Sequence, residues 1–218
     1  MKTFLSIGSG PGNGLATAER FAREGFRIVL SARNADKTAA LAAQLQDKGY
    51  QAETRTVDAS DPAAVAALVS AVEQQYGAID VLHYNAANLR QATLQSQPRE
   101  SFVGDLAVNI GGALAAVQAA SAKMTQNKSG TILLTGGGFA LYPSPDYLSL
   151  SIGKAGIRTL TLGLFESLRK EGVHIATVTV ATFVTAGSKE AEGVGERFWQ
   201  LYAQPEAEWT AELMYPAS

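Results

Sequence analysis

Short apolar segments alternate with longer amphipathic segments along this chain, and that alternation limits its possible folds more than any other feature. Apolar runs of strand length predict β-strands over Thr3–Ile7, Arg27–Ser31, Gln51–Val57, Ile79–Tyr84, Thr131–Thr135, His174–Val180 and Trp209–Tyr215. Helical spacing of apolar residues predicts helices over Asn13–Glu24, Ala35–Lys48, Pro62–Tyr76, Arg99–Thr125, Leu148–Glu171 and Glu192–Ala203. Because strands that alternate with helices pair in parallel through helical crossovers, we expect an α/β fold.

The expected architecture is a doubly wound, mostly parallel sheet of about seven strands with helices on both faces, of the Rossmann type. Gly111 and Gly112 are expected to interrupt the helix that starts at Arg99, because glycine weakens helix interiors. The 218 residues contain neither a linker nor an internal repeat, so we expect a single domain over residues 1–218.

The composition excludes several classes of function. Hydrophobic residues make up 46% of the chain and charged residues 17%, as in a globular protein with a large core. The net charge of -2 argues against nucleic-acid binding, which usually requires a basic surplus. Cysteine is absent and the two histidines lack partners at metal-ligand spacing, so we expect no metal site. No apolar run reaches membrane-spanning length, so we expect a cytoplasmic protein without a membrane partner.

The first predicted strand runs directly into a turn with four glycines, at positions 8, 10, 12 and 14, and a helix follows. Glycine permits positive φ angles and lets the backbone approach a phosphate closely. The helix start then offers free N–H groups and the positive end of its dipole to an anion. This context predicts a dinucleotide pyrophosphate site, formed by Gly8, Ser9, Gly12, Asn13 and Gly14.

With this turn the chain resembles the short-chain dehydrogenase/reductase family, whose cofactor signature has the spacing Gly8-x-x-x-Gly12-x-Gly14. The resemblance covers nearly the whole chain. Further positions match that family's motifs in order: Asp58-Ala59, Asn85-Ala86-Ala87, Asn109, Lys154 and, more loosely, Val184. In this family Asp58 and Ala59 would lie beside the adenine, and Val184 beside the nicotinamide carboxamide.

The resemblance implies a nicotinamide cofactor and a small-molecule substrate with a carbonyl or alcohol group. It also implies that residues 185–218 form a short substrate cover within the single domain. Family members commonly pair through two long helices, here Arg99–Thr125 and Leu148–Glu171, so a homodimer or homotetramer is expected.

The end of the second strand favours NADP over NAD. An acidic residue there would accept hydrogen bonds from the ribose of NAD, but this strand ends Ser31-Ala32-Arg33-Asn34. The guanidinium of Arg33 suits a 2′-phosphate, and Ser31 and Asn34 offer further hydrogen bonds. The alternative is that Arg33 is a solvated loop residue and that NAD binds.

The family's catalytic set is incomplete in this chain. Asn109 and Lys154 match it, but the tyrosine expected four residues before the lysine is Leu150. The serine expected thirteen residues before that tyrosine is Gly137. Leucine cannot donate a proton, and loss of a general acid typically costs about 10²–10⁴-fold in rate.

Tyr147 is the candidate substitute donor, because it lies seven residues before Lys154, nearly two helical turns away. The alternative is that Tyr147 only packs. Two functions therefore remain open: an NADP-dependent oxidoreductase with a non-standard proton donor, or a catalytically silent NADP(H)-binding sensor or partner-binding protein.

Overall fold

Seven strands and seven α-helices build the fold of this computed structural model, which describes residues 1–217. The strands are β1 (Thr3–Ile7), β2 (Arg27–Ala32), β3 (Ala52–Thr56), β4 (Val81–Tyr84), β5 (Thr131–Thr135), β6 (His174–Val180) and β7 (Glu212–Tyr215). The helices are α1 (Asn13–Ala22), α2 (Ala35–Asp47), α3 (Pro62–Tyr76), α4 (Ser101–Leu106), α5 (Gly112–Asn127), α6 (Leu148–Lys170) and α7 (Lys189–Ala203).

All strand pairs in the sheet are parallel, in the order β3-β2-β1-β4-β5-β6-β7. The predicted Rossmann-type α/β architecture is therefore confirmed. The chain proceeds outward from β1 to β3 and then returns to the other side of β1 with β4. Ligands of such sheets bind where the strand order reverses, at the carboxyl ends of the strands. The fold therefore directs attention to the ends of β1 and β4.

Successive side chains of β1 enter two separate cores, because a strand presents alternate residues to opposite faces of its sheet. Leu5 and Ile7 pack with residues of α3 and α5. Phe4 packs on the other face with Phe21 of α1 and Phe198 of α7. The two helical layers bury the central strands completely, so the chain's function is confined to the sheet's ends and its helix surfaces.

The predicted interruption at Gly111 and Gly112 takes the form of a change in helix type and not of a break in the helix. A π-helical turn over Ala107–Gly111 joins α4 to α5 in one continuous helical run, and the Gly112 N–H donates to the Ala107 carbonyl. The buried Tyr84 hydroxyl donates to the Val108 carbonyl at 2.5 Å. A Cβ at Gly112 would overlap the Ala59 carbonyl and the Tyr84 hydroxyl. Close packing, and not a helix break, accounts for this glycine.

The helical run Ser101–Asn127 spans 27 residues and is long and apolar enough to cross a membrane. The expectation that no segment has the length and composition of a membrane span was therefore wrong. The structure nevertheless places Ala113, Ala116, Val117 and Ala120 of this run in the buried core, where α5 packs beside α3. We therefore identify it as the core helix of a globular domain.

Most of the predicted substrate cover, residues 185–218, belongs to the framework of the domain. Helix α7 packs along α1, and β7 pairs with β6 as the last strand of the sheet. Among the described residues of this region, only Ala186 lines the cleft that opens at the carboxyl ends of the central strands. Position 218 lies outside the described residues.

We expect Gly112→Ala to lower the free energy of unfolding by about 1–3 kcal/mol, because the added methyl group overpacks against backbone. Gly163→Ala is the matched control, since a Cβ at this exposed helical position meets nothing within 4 Å. The control should gain about 0.5–1 kcal/mol from helix propensity. Urea unfolding checks both values, and a Gly112→Ala variant as stable as the control would contradict the described packing.

Candidate functional site

The carboxyl ends of β1, β4, β5 and β6 surround a cleft of about 960 Å³. The residues that follow each strand form its walls. Eleven of the sequence-predicted site residues line it: Gly8, Ser9, Gly12, Asn13, Gly14, Arg33, Ala59, Asn85, Ala86, Lys154 and Val184. Ser31, Asp58, Asn109 and Tyr147 are not among the lining residues.

The glycine turn is pinned to the strands on either side of β1. The N–H groups of Gly8 and Ser9 donate to the Ser31 carbonyl at 2.8 and 2.9 Å. On the other side, the Asn85 side-chain amide donates to the Gly8 carbonyl at 2.8 Å. Gly8 has φ +85°, and a Cβ there would overlap the backbone of Ala86. Only glycine therefore satisfies both the conformation and the close approach at this position.

The start of α1 is open toward the cleft. Asn34, Asp61 and Ser188 cap α2, α3 and α7 with side-chain oxygens, but α1 has no side-chain cap and no acidic residue in its first turn. The amide oxygen of Asn13 is buried without a hydrogen-bond partner. Rotation of that amide would present its NH₂ group at the same place. An uncapped helix start with an unsatisfied amide fits the pyrophosphate of a dinucleotide.

At the end of β2, Ala32 and the residue that follows the strand, Arg33, line the cleft, and Arg33 brings the charged side chain. Arg33 is exposed, and the structure records no salt bridge for it within residues 1–217. The expected hydrogen bond from the Ser31 hydroxyl to the ligand is not supported, and Asn34 has its side-chain oxygen, though not its NH₂ group, already engaged. The fully buried Ser31 hydroxyl donates to the Ser6 carbonyl at 2.7 Å, and Asn34 caps α2 by accepting from the Lys37 N–H.

Asp58 is exposed beside the cleft, and its neighbour Ala59 is one of the lining residues. The backbone N–H and the hydroxyl of Ser60 both donate to the Asp58 carboxylate, at 2.9 and 2.7 Å. These bonds, together with the nearby Arg33 guanidinium, hold the pKa of Asp58 below its usual range. Asp58 therefore stays ionised and orders the loop that carries Ala59.

Lys154 reaches the cleft from α6 and donates a hydrogen bond from Nζ to the Thr135 carbonyl at 2.7 Å. Burial lowers the pKa of Lys154 to about 8. A Cβ at Gly137 would lie 3.2 Å from Cγ of this lysine. Gly137 therefore borders the lysine stem, where the family would place its serine.

His83 lies fully buried beneath Lys154. Its Nε2 is 3.1 Å from the Thr135 hydroxyl, and its Nδ1 is 3.4 Å from the Ser6 hydroxyl. Burial, followed by the positive charge of Lys154, lowers the pKa of His83 to about 3. The imidazole is therefore neutral at physiological pH and serves as a structural hydrogen-bonding group.

Asn109 lies in the π-helical turn and binds backbone, not the cleft. Its Oδ1 accepts from the Asn88 N–H at 2.6 Å and its Nδ2 donates to the Asn88 carbonyl at 3.3 Å. The side-chain amide of Asn109 therefore holds the loop after β4 against the helical run Ser101–Asn127. Its function in this structure is to position that loop.

Asp105 was missed by the sequence analysis, although it lies one helical turn before Asn109 and supports the same loop. Its buried carboxylate accepts from the Arg90 guanidinium at 2.7 and 3.0 Å and from the Ser149 hydroxyl at 3.0 Å. These bonds hold its pKa below the usual range, with the Arg90 hydrogen bond as the main cause. Asp105 and Asn109 lie four residues apart in an otherwise apolar helical segment, and this spacing could have indicated from the sequence that both face the same neighbour.

Tyr147 precedes the first residue of α6, and its ring stacks on Phe139 with centroids 5.4 Å apart. Phe139 lines the cleft and Tyr147 does not. Leu150, which replaces the family's tyrosine, is 3% exposed and does line the cleft. The structure therefore brings Leu150 and Lys154 together in the cleft and leaves Tyr147 behind Phe139.

Comparison with known proteins agrees with the observed fold. A family model described as short chain dehydrogenase matches residues 2–193. An oxidoreductase from Sarocladium schorii is 28% identical over 203 residues, which cover 93% of this chain and 80% of the relative.

Two solved structures share the fold. A metagenomic short-chain oxidoreductase in complex with NADP superposes with a TM-score of 0.89 and 24% identity, covering 100% of this chain and 97% of the other. An NAD⁺-bound xylitol dehydrogenase has a TM-score of 0.89 and 22% identity, covering 98% and 97%. Identities this low establish the common fold alone.

The pKa of Lys154 generates a prediction for the ligand-free protein. This pKa falls from 10.5 to about 8 on folding, so the unfolded chain binds more protons between these pH values and stability rises with pH. At pH 7 the buried ammonium opposes folding. We therefore expect Lys154→Met to raise Tm by a few degrees at pH 7 and to lose this advantage as the pH approaches 10.5.

Thermal unfolding across that pH range checks the expectation. Lys37→Met is the control, because Lys37 is exposed on α2. If the Tm advantage of Lys154→Met over the wild type grew with pH, the expectation would be contradicted, because the ammonium of a lysine disfavoured by burial is lost as the pH rises.

Proposed function

The chain belongs to the short-chain dehydrogenase family, and from this premise we propose that it is an NADP(H)-dependent oxidoreductase that interconverts a carbonyl and an alcohol on a small molecule. The observation that carries the proposal is the single cleft that the glycine turn, Arg33 and Lys154 all line. Its volume of about 960 Å³ accommodates a dinucleotide together with a small substrate.

In this proposal the chain holds the cofactor along the full length of the cleft. The open start of α1 binds the pyrophosphate, Asp58 and Ala59 border the adenine, and Asn85 and Ala86 continue the binding surface toward the nicotinamide. Lys154 binds the nicotinamide ribose, and Val184 meets the carboxamide. When bound, the nicotinamide supplies or accepts the hydride.

Arg33 supports NADP over NAD. One of the two solved structures carries NADP and the other NAD⁺, so the shared fold leaves the preference open, and we base it on the residues at the end of β2. That strand ends at Ala32 with no carboxylate to accept from a ribose hydroxyl. The exposed Arg33 guanidinium instead offers bidentate hydrogen bonds to a 2′-phosphate.

We propose the Lys154 ammonium as the non-standard proton donor. Nζ carries a proton below its pKa of about 8 and regains it from solvent, which suits general-acid chemistry near neutral pH. Lys154 also lies one helical turn from Leu150, where the family's phenol is missing. Tyr147 remains the alternative donor, and it requires movement of the ring out of its stack on Phe139.

A catalytically silent NADP(H)-binding protein is the second candidate function. The replacement of two catalytic hydroxyls by Leu150 and Gly137 favours it, because the rest of the cofactor cleft does not need either hydroxyl. Such a protein would act as a sensor or through a partner surface. The two candidates differ in turnover and not in cofactor affinity.

Pairing of subunits and a cytoplasmic location complete the proposal. The large apolar side chains of Val103, Leu114, Ile152 and Leu162 are exposed on α4, α5 and α6. Exposed apolar residues on the helices through which family members commonly pair support a homodimer or homotetramer. Light scattering after size-exclusion chromatography measures the oligomeric state directly.

We expect Arg33→Gln to weaken NADPH binding about 10- to 100-fold, since hydrogen bonds to charged groups contribute about 1.5–3 kcal/mol. NADH binding should change little, because NADH lacks the 2′-phosphate. Lys37→Gln removes an exposed positive charge nearby on α2 and serves as the control. Fluorescence titration with both cofactors measures the effects, and tighter binding of NADH than NADPH to the wild type would refute the NADP assignment.

We expect Lys154→Met to reduce carbonyl turnover about 10²–10⁴-fold if the ammonium is the proton donor. Wild-type kcat/KM for reduction, which reports ionisations of the protein before it binds its ligands, should fall as the pH rises through about 8, because the amine then loses its proton. Tyr147→Phe should retain activity, and so should Tyr142→Phe, which removes the hydroxyl of a tyrosine that lines the cleft. The measurement is a pH profile of kcat/KM on a carbonyl panel, with cofactor affinity determined for each variant.

Two outcomes change the assignment. Activity lost in Tyr147→Phe but kept in Lys154→Met would make Tyr147 the donor. NADPH binding without turnover on any substrate, followed by turnover in Leu150→Tyr with Gly137→Ser, would favour the silent protein.

A further inference from the structure

Three large side chains line the open end of the cleft although solvent covers most of their surface. Leu89, Tyr142 and Phe183 are 74%, 80% and 86% exposed, and each is a cleft-lining residue. We infer that this apolar rim (Leu89, Tyr142 and Phe183) binds a substrate whose body, beyond its carbonyl or alcohol group, is an uncharged hydrocarbon chain or ring. The inference rests on the proposed oxidoreductase function and narrows its substrate class.

The three rim residues come from three separate segments that the sheet brings together. Leu89 follows β4, Tyr142 lies between β5 and α6, and Phe183 follows β6. Because β4, β5 and β6 are neighbours in the sheet, their carboxyl ends open on the same side of the cleft. Single exposed apolar residues are common on protein surfaces, but convergence of several on one cleft marks a binding site.

The inner wall next to the rim is also apolar. Phe139 lines the cleft and is backed by Tyr147, which stacks on it. Leu150 presents its buried side chain where the family would have a hydroxyl. Gly137 offers no side chain at all. A substrate with several hydroxyl groups would find few partners here beyond the hydroxyls of Tyr142 and Thr182, whereas a hydrocarbon body would lose unfavourable contact with water.

The charges of the cleft point to the same conclusion. Among the described residues that line it, only Arg33 and Lys154 carry charged side chains. In the proposed function both are engaged, Arg33 with the cofactor's 2′-phosphate and Lys154 at the reacting end. No further cation remains in the lining for a carboxylate or phosphate on the substrate. An uncharged body is therefore the class that the lining accommodates.

The experiment measures binding by calorimetry. Methyl ketones from 2-butanone to 2-undecanone are titrated into the NADP⁺-saturated protein, and xylitol, the polyol probe, is titrated into the NADPH-saturated protein, so that neither mixture can react. For the wild type we expect affinity to rise about fourfold per added CH₂ group until the rim is filled. Xylitol should not bind measurably.

Phe183→Ser tests the rim itself. Because Phe183 is exposed, we expect the variant to fold like the wild type, and thermal unfolding checks this. We expect about tenfold weaker binding of the longest ketone and little change for 2-butanone. Leu94→Ser is the matched control, because Leu94 is 75% exposed but does not line the cleft. NADPH affinity should be unchanged in both variants.

The outcomes separate the two proposals. Absence of NADPH binding overturns the proposed function and this inference with it. NADPH binding with no dependence on chain length, or with stronger binding of xylitol, overturns the substrate class alone. If Phe183→Ser alters the oligomeric state and leaves ketone affinity unchanged, the rim is a protein contact and the inference is likewise wrong.

Discussion

The hydrogen bonds that pin the glycine turn between β2 and β4 are the constraint on which the rest of the site depends. Gly8 and Ser9 donate to the Ser31 carbonyl, while Asn85 donates to the Gly8 carbonyl. These bonds set the ends of three strands relative to one another. They also fix the direction in which the chain enters α1. As a result, the uncapped N-terminus of that helix faces the cleft. The position needs glycine because a side chain would occupy the space of the Ala86 backbone.

Much of the fold was predictable from the sequence because its signals are local. Apolar runs marked the strands, and the spacing of Gly8, Gly12 and Gly14 marked the cofactor turn. The exceptions depend on distant contacts. Gly112 resembles a helix breaker in sequence, yet it lets the helix approach Ala59 and Tyr84. No local pattern distinguishes these two uses of glycine.

The candidate site was predictable where backbone geometry decides a residue's position, and less so where side-chain direction decides it. Ser31 follows the alternation of β2 and points into the protein, so its hydroxyl serves the Ser6 carbonyl. Asn109 binds the backbone of Asn88, a partner 21 residues away that no spacing indicates. Tyr147 is close to Lys154 in sequence, but stacking on Phe139 directs its ring elsewhere.

Several groups in the cleft are left poorly satisfied by the protein itself. The partly buried Lys154 ammonium has a carbonyl as its hydrogen-bond partner, the start of α1 has no side-chain cap, and the Asn13 amide oxygen has no partner. An anionic dinucleotide that satisfies these groups binds the folded chain and not the unfolded one, so it stabilises the fold by mass action. Unfolded chains are removed by proteolysis in cells. On the proposed function, the lifetime of this protein would therefore follow the cellular supply of its cofactor, and its abundance would report that supply even where no substrate is present.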